Sequence, residues 1–288
     1  MNYTQKRELL VNLIRTGSLV RVVGAHDAIT AQLIEEAAFD AVWAGSLGIS
    51  TALGYPDLDV ISMNEFLTVA CLLNRTCNLP IIADCNSGYG SLNNLIRMVR
   101  EYEQCGISAI CIEDQVFPKK NSLYSSDHDL EQQNAFCEKL KLAVETRKDS
   151  NFLIIARIEA LIAGFGVNEA IKRAHAYKLA GADVIAIHSK SKNSDEIEHF
   201  LEIWASEAPV MIIPSTYYFS DNLIQAHNVS MVVYANQVIR SIIPSIKLLL
   251  SQLSENPNEI KIPTHNIADL EQIFKYHQLS SWKVFESD

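Results

Sequence analysis

Eight short apolar runs rich in β-branched residues recur along this chain, each followed by a longer stretch of helical period. That alternation restricts the fold to helices packed outside a parallel sheet. The runs are Leu19 to Gly24, Ala41 to Gly45, Pro80 to Asp84, Ala109 to Asp114, Phe152 to Glu159, Asp183 to Ser189, Val210 to Pro214 and Met231 to Asn236. Their apolarity on both faces requires a sheet covered on both sides, and their number and order favour a closed (β/α)8 TIM barrel over an open doubly wound sheet. Helix punctuation agrees, with one amphipathic stretch running from Ser91 to Gly106 and another from Asn168 to Gly181.

With 288 residues, 48% of them apolar, one large core is available, and no linker or repeat divides the chain. The expectation is a single domain, 1–288, in which about 240–288 forms a C-terminal helical tail. The apolar stretch Val238 to Leu253 and a further helix over Asn266 to Lys275 exceed what one barrel needs, and suit either a final barrel helix or a subunit contact. A formal charge of −10 without a basic stripe excludes nucleic acid as a partner. Six scattered cysteines without a CxxC pair fit reduced thiols in a cytoplasmic protein. Met1 to Leu19 is charged and amphipathic, unlike a signal peptide, and no apolar run reaches the roughly 20 residues of a membrane span.

Buried strands have little reason to end in charge unless the charge faces the barrel mouth, where active sites of this fold lie. Here the third run ends in Asp84 and Asn86, the fourth in Glu113 and Asp114, the fifth in Arg157 and Glu159, the sixth in His188 and Ser189. Each alone could serve as a cap or turn residue. Together they offer oxygen ligands for a hard cation, Mg2+ or Mn2+, beside an Arg and a His for an anion. Zinc would require clustered His or Cys, and Cys85 points away from Asp84.

The segment Glu113 to Leu123 is too long for a simple βα connection and reads as a lid. The pairs Gly88/Gly90 and Gly164/Gly166 lack the rest of a nucleotide loop and read as tight turns of positive φ. No Gly-x-Ser-x-Gly elbow supplies a serine nucleophile.

Asp84-Cys-Asn-Ser-Gly-Tyr-Gly90 resembles the Asp-x-Asp-x-Gly-Tyr-Gly segment of the phosphoenolpyruvate mutase family, within the isocitrate lyase superfamily. Glu113 to Leu123 resembles its Glu-Asp-Lys-x-Phe-Pro-Lys-x-Asn-Ser-Leu segment, and Trp43 to Leu47, Ala156 to Ala160, Ile187 to Lys190 and Val232 to Asn236 extend the match over nearly the whole chain. The resemblance implies a Mg2+-dependent isomerase that interconverts phosphoenolpyruvate and 3-phosphonopyruvate, forming the C–P bond of phosphonate biosynthesis by dissociative phosphoryl transfer under a gating loop. It implies that Asp84 binds the metal directly while Asp57, Asn86 and Glu113 hold its water ligands. Trp43, Gly45, Ser46, Leu47, Arg157 and His188 would contact substrate, with Lys119, Asn121, Ser122 and Leu123 in the gating loop. Asp57, Lys119, Asn121, Arg157 and His188 carry the catalytic expectation. A homodimer or homotetramer with exchanged C-terminal helices is also implied.

Phosphonopyruvate hydrolases of the family carry Thr where this chain has Asn121, and the carbon–carbon lyases carry a Lys-Lys-Cys-Gly-His loop where it has Pro118 to Ser122. The mutase is therefore the leading expectation, ahead of a hydrolase, a lyase or decarboxylase, and a non-catalytic ligand-binding barrel. Two departures stand out: Asn86 replaces the family's second Asp, and Gln115 replaces its Lys. These cancel in charge, and leave open a compensated swap, a different substrate or an idle paralogue.

Overall fold

The computed structural model describes residues 1–124, 127–254 and 267–277. In chain order the elements are α1 (Tyr3–Arg15), β1 (Val20–Ala25), α2 (Ala28–Glu36), β2 (Ala41–Ala44), α3 (Ser46–Leu53), α4 (Met63–Thr76), β3 (Ile81–Asp84), α5 (Leu92–Gln104), β4 (Ala109–Glu113) and α6 (Gln133–Thr146). They continue with β5 (Leu153–Ile158), α7 (Gly166–Leu179), β6 (Val184–Ile187), α8 (Asp195–Trp204), β7 (Val210–Ile212), α9 (Asp221–Ala226), β8 (Met231–Tyr234), α10 (Gln237–Ser254) and α11 (Leu270–Tyr276). Every expected strand is present. Each pairs in parallel with the next, and β8 returns to β1 through Val233 opposite Val22, closing the barrel.

Successive residues of a strand face opposite sides of the sheet. Val20, Val22, Trp43, Ile82, Cys111, Ile155, Ala186, Met211 and Val233 therefore fill the interior. Their neighbours Val23, Val42, Ile81, Ile110, Ile154, Ile185, Ile212 and Val232 pack outward beneath the helices. The N-terminal end of the barrel is stoppered by α1, whose Leu10 and Val11 join the interior cluster. Beside them Lys6 is 1% exposed, yet its ammonium donates to Asn74 Oδ1 at 2.8 Å and to the carbonyls of Asn74 and Cys77 at 2.5 and 2.7 Å. All its donors are used, which is what permits a buried lysine.

Some expectations shift. The helix anticipated from Asn168 starts at Gly166, and Gly88, Gly90, Gly164 and Gly166 all have positive φ, as tight turns require. The second tail helix starts at Leu270, capped by Asp269, whose carboxylate accepts from Gln272 N at 2.7 Å; Asn266 lies outside the described residues. The expectation of reduced thiols throughout is corrected: Cys71 of α4 and Cys105, at the end of α5, form a disulfide, while Cys77, Cys85, Cys111 and Cys137 are free. Among the described residues no helix is long and apolar enough to cross a membrane.

The chain divides into two compact units, Met1–Val238 with the barrel and a second from Ile239 onward. In the second, α10 buries no residue and exposes Ile243, Ile246, Leu248, Leu250 and Leu253, while α11 exposes Leu270, Ile273 and Phe274.

Candidate active site

Strand parity decides which strand-end groups face the mouth. Asp84 shares the register of Ile82, Glu113 that of Cys111, Arg157 and Glu159 that of Ile155, and His188 that of Ala186, so all five belong to the interior face. Asp114 has the opposite parity. Its carboxylate accepts from Tyr177 at 2.6 Å and Arg173 at 2.9 Å, both on α7, and from the backbone N–H of Glu159 at 2.8 Å. Ser189 likewise turns outward and donates to Glu196 at 2.7 Å. Asp114 and Ser189 thus brace the strands from behind.

The cavity at the mouth, about 490 Å3 when the space open to solvent is included, is lined by every expected substrate contact: Trp43, Gly45, Ser46, Leu47, Asp84, Asn121, Ser122, Leu123, Arg157 and His188. Asp57 and Lys119 line it too. At Gly45 the backbone passes so close to the Trp43 indole that a Cβ would fall 2.5 Å from the ring, so only glycine lets α3 start there. The first-turn N–H groups of α3 have no intrahelical acceptor; that of Ser46 donates to Asp84 Oδ2 at 3.4 Å, and those of Leu47 and Gly48 are oriented for an anion. Ser46 also reaches across the mouth, its hydroxyl donating to Asp84 Oδ2 at 3.1 Å.

The loop after β4 is tied down at several points. Lys119 Nζ lies 2.9 Å from Asp57 Oδ1 and donates to Ser46 Oγ at 2.8 Å. Asn121 Nδ2 donates to Asp57 Oδ2 at 2.9 Å, and Ser122 Oγ to Glu159 Oε2 at 2.7 Å. Burial opposes the charge on Lys119, but Asp57, Glu113 and Asp84 outweigh it and hold its pKa above the usual lysine range. For Asp57 burial likewise opposes the charged form, but the charge and hydrogen bond of Lys119, with hydrogen bonds from Asn121 and Ser46, prevail, so its pKa is lowered.

Arg157 organises the remainder, with Nε 2.5 Å from Glu159 Oε1 and Nη1 3.3 Å from Glu113 Oε2. Burial would raise the pKa of Glu159, but the Arg157 guanidinium pulls it well below the carboxylate range. Glu113 differs: burial dominates over Arg157 and Lys119, and its pKa is pushed up to about 8. His188 is kept neutral, burial lowering its pKa first and Arg157 adding to it against Glu159.

The oxygens suit a hard dication. Among the described residues neither carboxylate oxygen of buried Glu113 receives a hydrogen bond, despite the nearby guanidinium, and the buried Oδ1 of Asn86 has no partner either. Among the described residues no three His, Cys, Asp or Glu side chains form a cage that holds a metal directly. A hard cation held partly through water would fit such a set of oxygens. Asn86 and Glu113 are the expected residues that do not line the cavity; Asn86 N donates to Asp84 Oδ1 at 3.2 Å, and the N–H of Glu113 to the Asn86 carbonyl at 2.8 Å. Sequence reasoning missed Ile213, Ser215, Ala235 and Asn236, which complete the lining. Parity along β7 and β8 could have found the first three. It also missed Asp59, a loop residue between Asn86 and the lid, for which no periodic signal exists.

Residues 10–254 match the family model described as phosphoenolpyruvate phosphomutase. The chain is 35% identical to the phosphoenolpyruvate phosphomutase of Tetrahymena pyriformis, covering 94% of this chain and 91% of the relative. It is 34% identical to the phosphonopyruvate hydrolase of Variovorax, covering 86% and 87%. Among solved structures it superposes on the phosphoenolpyruvate phosphomutase of Streptomyces platensis subsp. rosaceus with a TM-score of 0.92 and 37% identity, over 95% of this chain and 96% of that one. It matches a phosphonopyruvate hydrolase in complex with oxalate and Mg2+ at 0.89 and 31%, over 97% and 96%. On this extent of likeness the chain is an enzyme of the phosphomutase type and belongs to the phosphoenolpyruvate phosphomutase family.

Proposed function

We propose that this enzyme interconverts phosphoenolpyruvate and 3-phosphonopyruvate. The observation that carries the reading is the cavity lining, which sets Lys119, Asn121, Arg157 and His188 under one lid with no cysteine among them. Without a thiol at the mouth, a carbon–carbon lyase would need another proton donor to carbon. A phosphoryl group moving between oxygen and carbon needs instead to be held, charge-balanced and kept from water.

The residues suit those tasks. Arg157, the Nε2–H of neutral His188 and the first-turn amides of α3 would bind the anionic oxygens of substrate and of the transferring group. Lys119, Asn121, Ser122 and Leu123 would close over it and exclude water. Asp84 would hold Mg2+ or Mn2+ directly, with Asp57, Asn86 and Glu113 holding its waters. When bound, the cation supplies Lewis-acid neutralisation of the negative charge that develops on the pyruvate half.

Phosphonopyruvate hydrolysis is the second reading, favoured by the 34% identity to the Variovorax hydrolase. Phosphorus NMR of the protein with Mg2+ and phosphonopyruvate separates the two. Appearance of phosphoenolpyruvate supports the mutase, free phosphate alone the hydrolase, and an unchanged spectrum overturns both. The exposed apolar rows of α10 and α11 support a homodimer or homotetramer in which these helices pack on a second copy. Light scattering on the eluting protein checks this; a monomeric mass refutes it.

A further inference from the structure

Asp59 sits in the loop between α3 and α4 at a φ of 55°, a conformation few side-chain-bearing residues adopt, and uses both carboxylate oxygens. Its Oδ1 accepts from Asn86 Nδ2 at 2.6 Å. Its Oδ2 accepts from the backbone N–H of Lys119 at 2.6 Å. A carboxylate only accepts, so the first bond fixes which way the Asn86 amide points: nitrogen toward Asp59, oxygen away from it. That oxygen is buried and receives no hydrogen bond from the described residues, although the Asn86 backbone N–H engages the Asp84 carboxylate.

We infer that Asp59 is a positioning residue that supplies the negative charge Asn86 lacks and couples the lid to the cation site. Asn86 presents a neutral, oriented oxygen to the site, while the charge stands one hydrogen bond further out. The same carboxylate anchors the lid at Lys119, whose ammonium spans Asp57 and Ser46. Withdrawal of the lid removes one of the two bonds that hold Asp59, and with it part of the constraint on Asn86. Outer residues of this kind set the orientation of metal ligands and their strength as donors. The departure at position 86 is then a compensated swap, its partner being Asp59. The inference rests on the cation-dependent reading of the site.

The test is Mn2+ affinity, measured by electron paramagnetic resonance without substrate and thus independently of turnover. Asp59→Asn is expected to weaken Mn2+ binding about tenfold in the native background. In an Asn86→Asp background the same change should cost no more than about twofold, because the carboxylate is then supplied at position 86 itself. A merely structural role for Asp59 would give equal losses in both backgrounds. Equal losses, or an unchanged affinity of Asp59→Asn, overturn the inference while leaving the cation-dependent reading intact. Failure of the wild-type chain to bind Mn2+ overturns that reading and this inference with it. Matching circular dichroism spectra of the variants establish that each has folded.

Discussion

Arg157 Nη2 lies 2.9 Å from His188 Nδ1, and because a guanidinium only donates, Nδ1 must be the acceptor. The proton of the neutral ring is therefore on Nε2, which has no partner among the described residues. Glu159 Oε1, 3.3 Å from the same Nδ1, is then a close neighbour without a shared proton. Burial and Arg157 lower the pKa of His188 from its ordinary 6.5, so the ring is neutral at pH 7 and is protonated only as pH falls below 6.5.

Loss of the Nε2–H by His188→Ala should lower kcat/KM by about 10²- to 10³-fold, the usual effect of deleting one aimed donor. In the wild type, kcat/KM should fall on the acid side with an apparent pKa below 6.5, because a protonated Nδ1 can no longer accept from Arg157. Stability follows the same sign. The unfolded chain binds the proton more readily, so stability is present above pH 6.5 and declines as pH drops toward the lowered pKa. A pH–rate profile reading an acid limb centred above 6.5 would refute the lowered pKa of His188.

Glu113 gives the opposite sign. With its carboxyl pushed up to about 8 by burial, it is protonated at neutral pH until a cation displaces the proton. Mn2+ affinity should therefore rise as pH increases from 6 to 8, approaching about tenfold per unit, and level off above 8. Glu113→Gln should flatten this dependence. Isothermal titration in buffers of different ionisation enthalpy would register the released proton, and a pH-independent affinity would sink the assignment.

The barrel was legible because short continuous apolar runs rich in β-branched residues are a local signal, and every strand survived in the folded chain. Strand-end chemistry was half legible. Glu113 and Asp114 are adjacent in sequence and looked equivalent, yet parity sends one into the mouth and the other toward α7. The lid residues from Lys119 to Leu123 came from resemblance, since nothing in their spacing says that they fold over Asp57 and Ser46. Asp59 gave no signal at all, because its role depends on two partners far away in sequence.

Asp114 carries a stability prediction for the same reason. It is fully buried, and its carboxylate depends on Arg173, Tyr177 and the Glu159 N–H. Arg173→Ala removes the compensating charge and should destabilise the fold by about 3 to 5 kcal/mol. Tyr177→Phe removes one hydrogen bond to a charged group and should cost about 1.5 to 3 kcal/mol. Urea unfolding measures both; changes below about 0.5 kcal/mol would mean that the cluster does not brace the strand.

In the loop after β4, the amide of Asn121 is used at both ends. Nδ2 donates to Asp57 at 2.9 Å, while Oδ1 accepts from the backbone N–H groups of Leu123 and Tyr124 at 3.1 and 3.2 Å. The side chain therefore shapes the turn that follows it and fastens that turn to the rim. Asn121→Ala deletes both functions, and Asn121→Thr keeps a short acceptor for the turn but shortens the reach toward Asp57. Both should lower conversion of phosphonopyruvate to phosphoenolpyruvate by about 10²-fold, the scale expected when a reacting group is misplaced by an ångström. The two should differ in what replaces it. With the turn still formed but loosened from Asp57, the Thr variant should admit water to the transferring group and release free phosphate, whereas the Ala variant should lose both products. Phosphorus NMR time courses read all species in one sample, and full mutase flux in either variant would remove Asn121 from the gate.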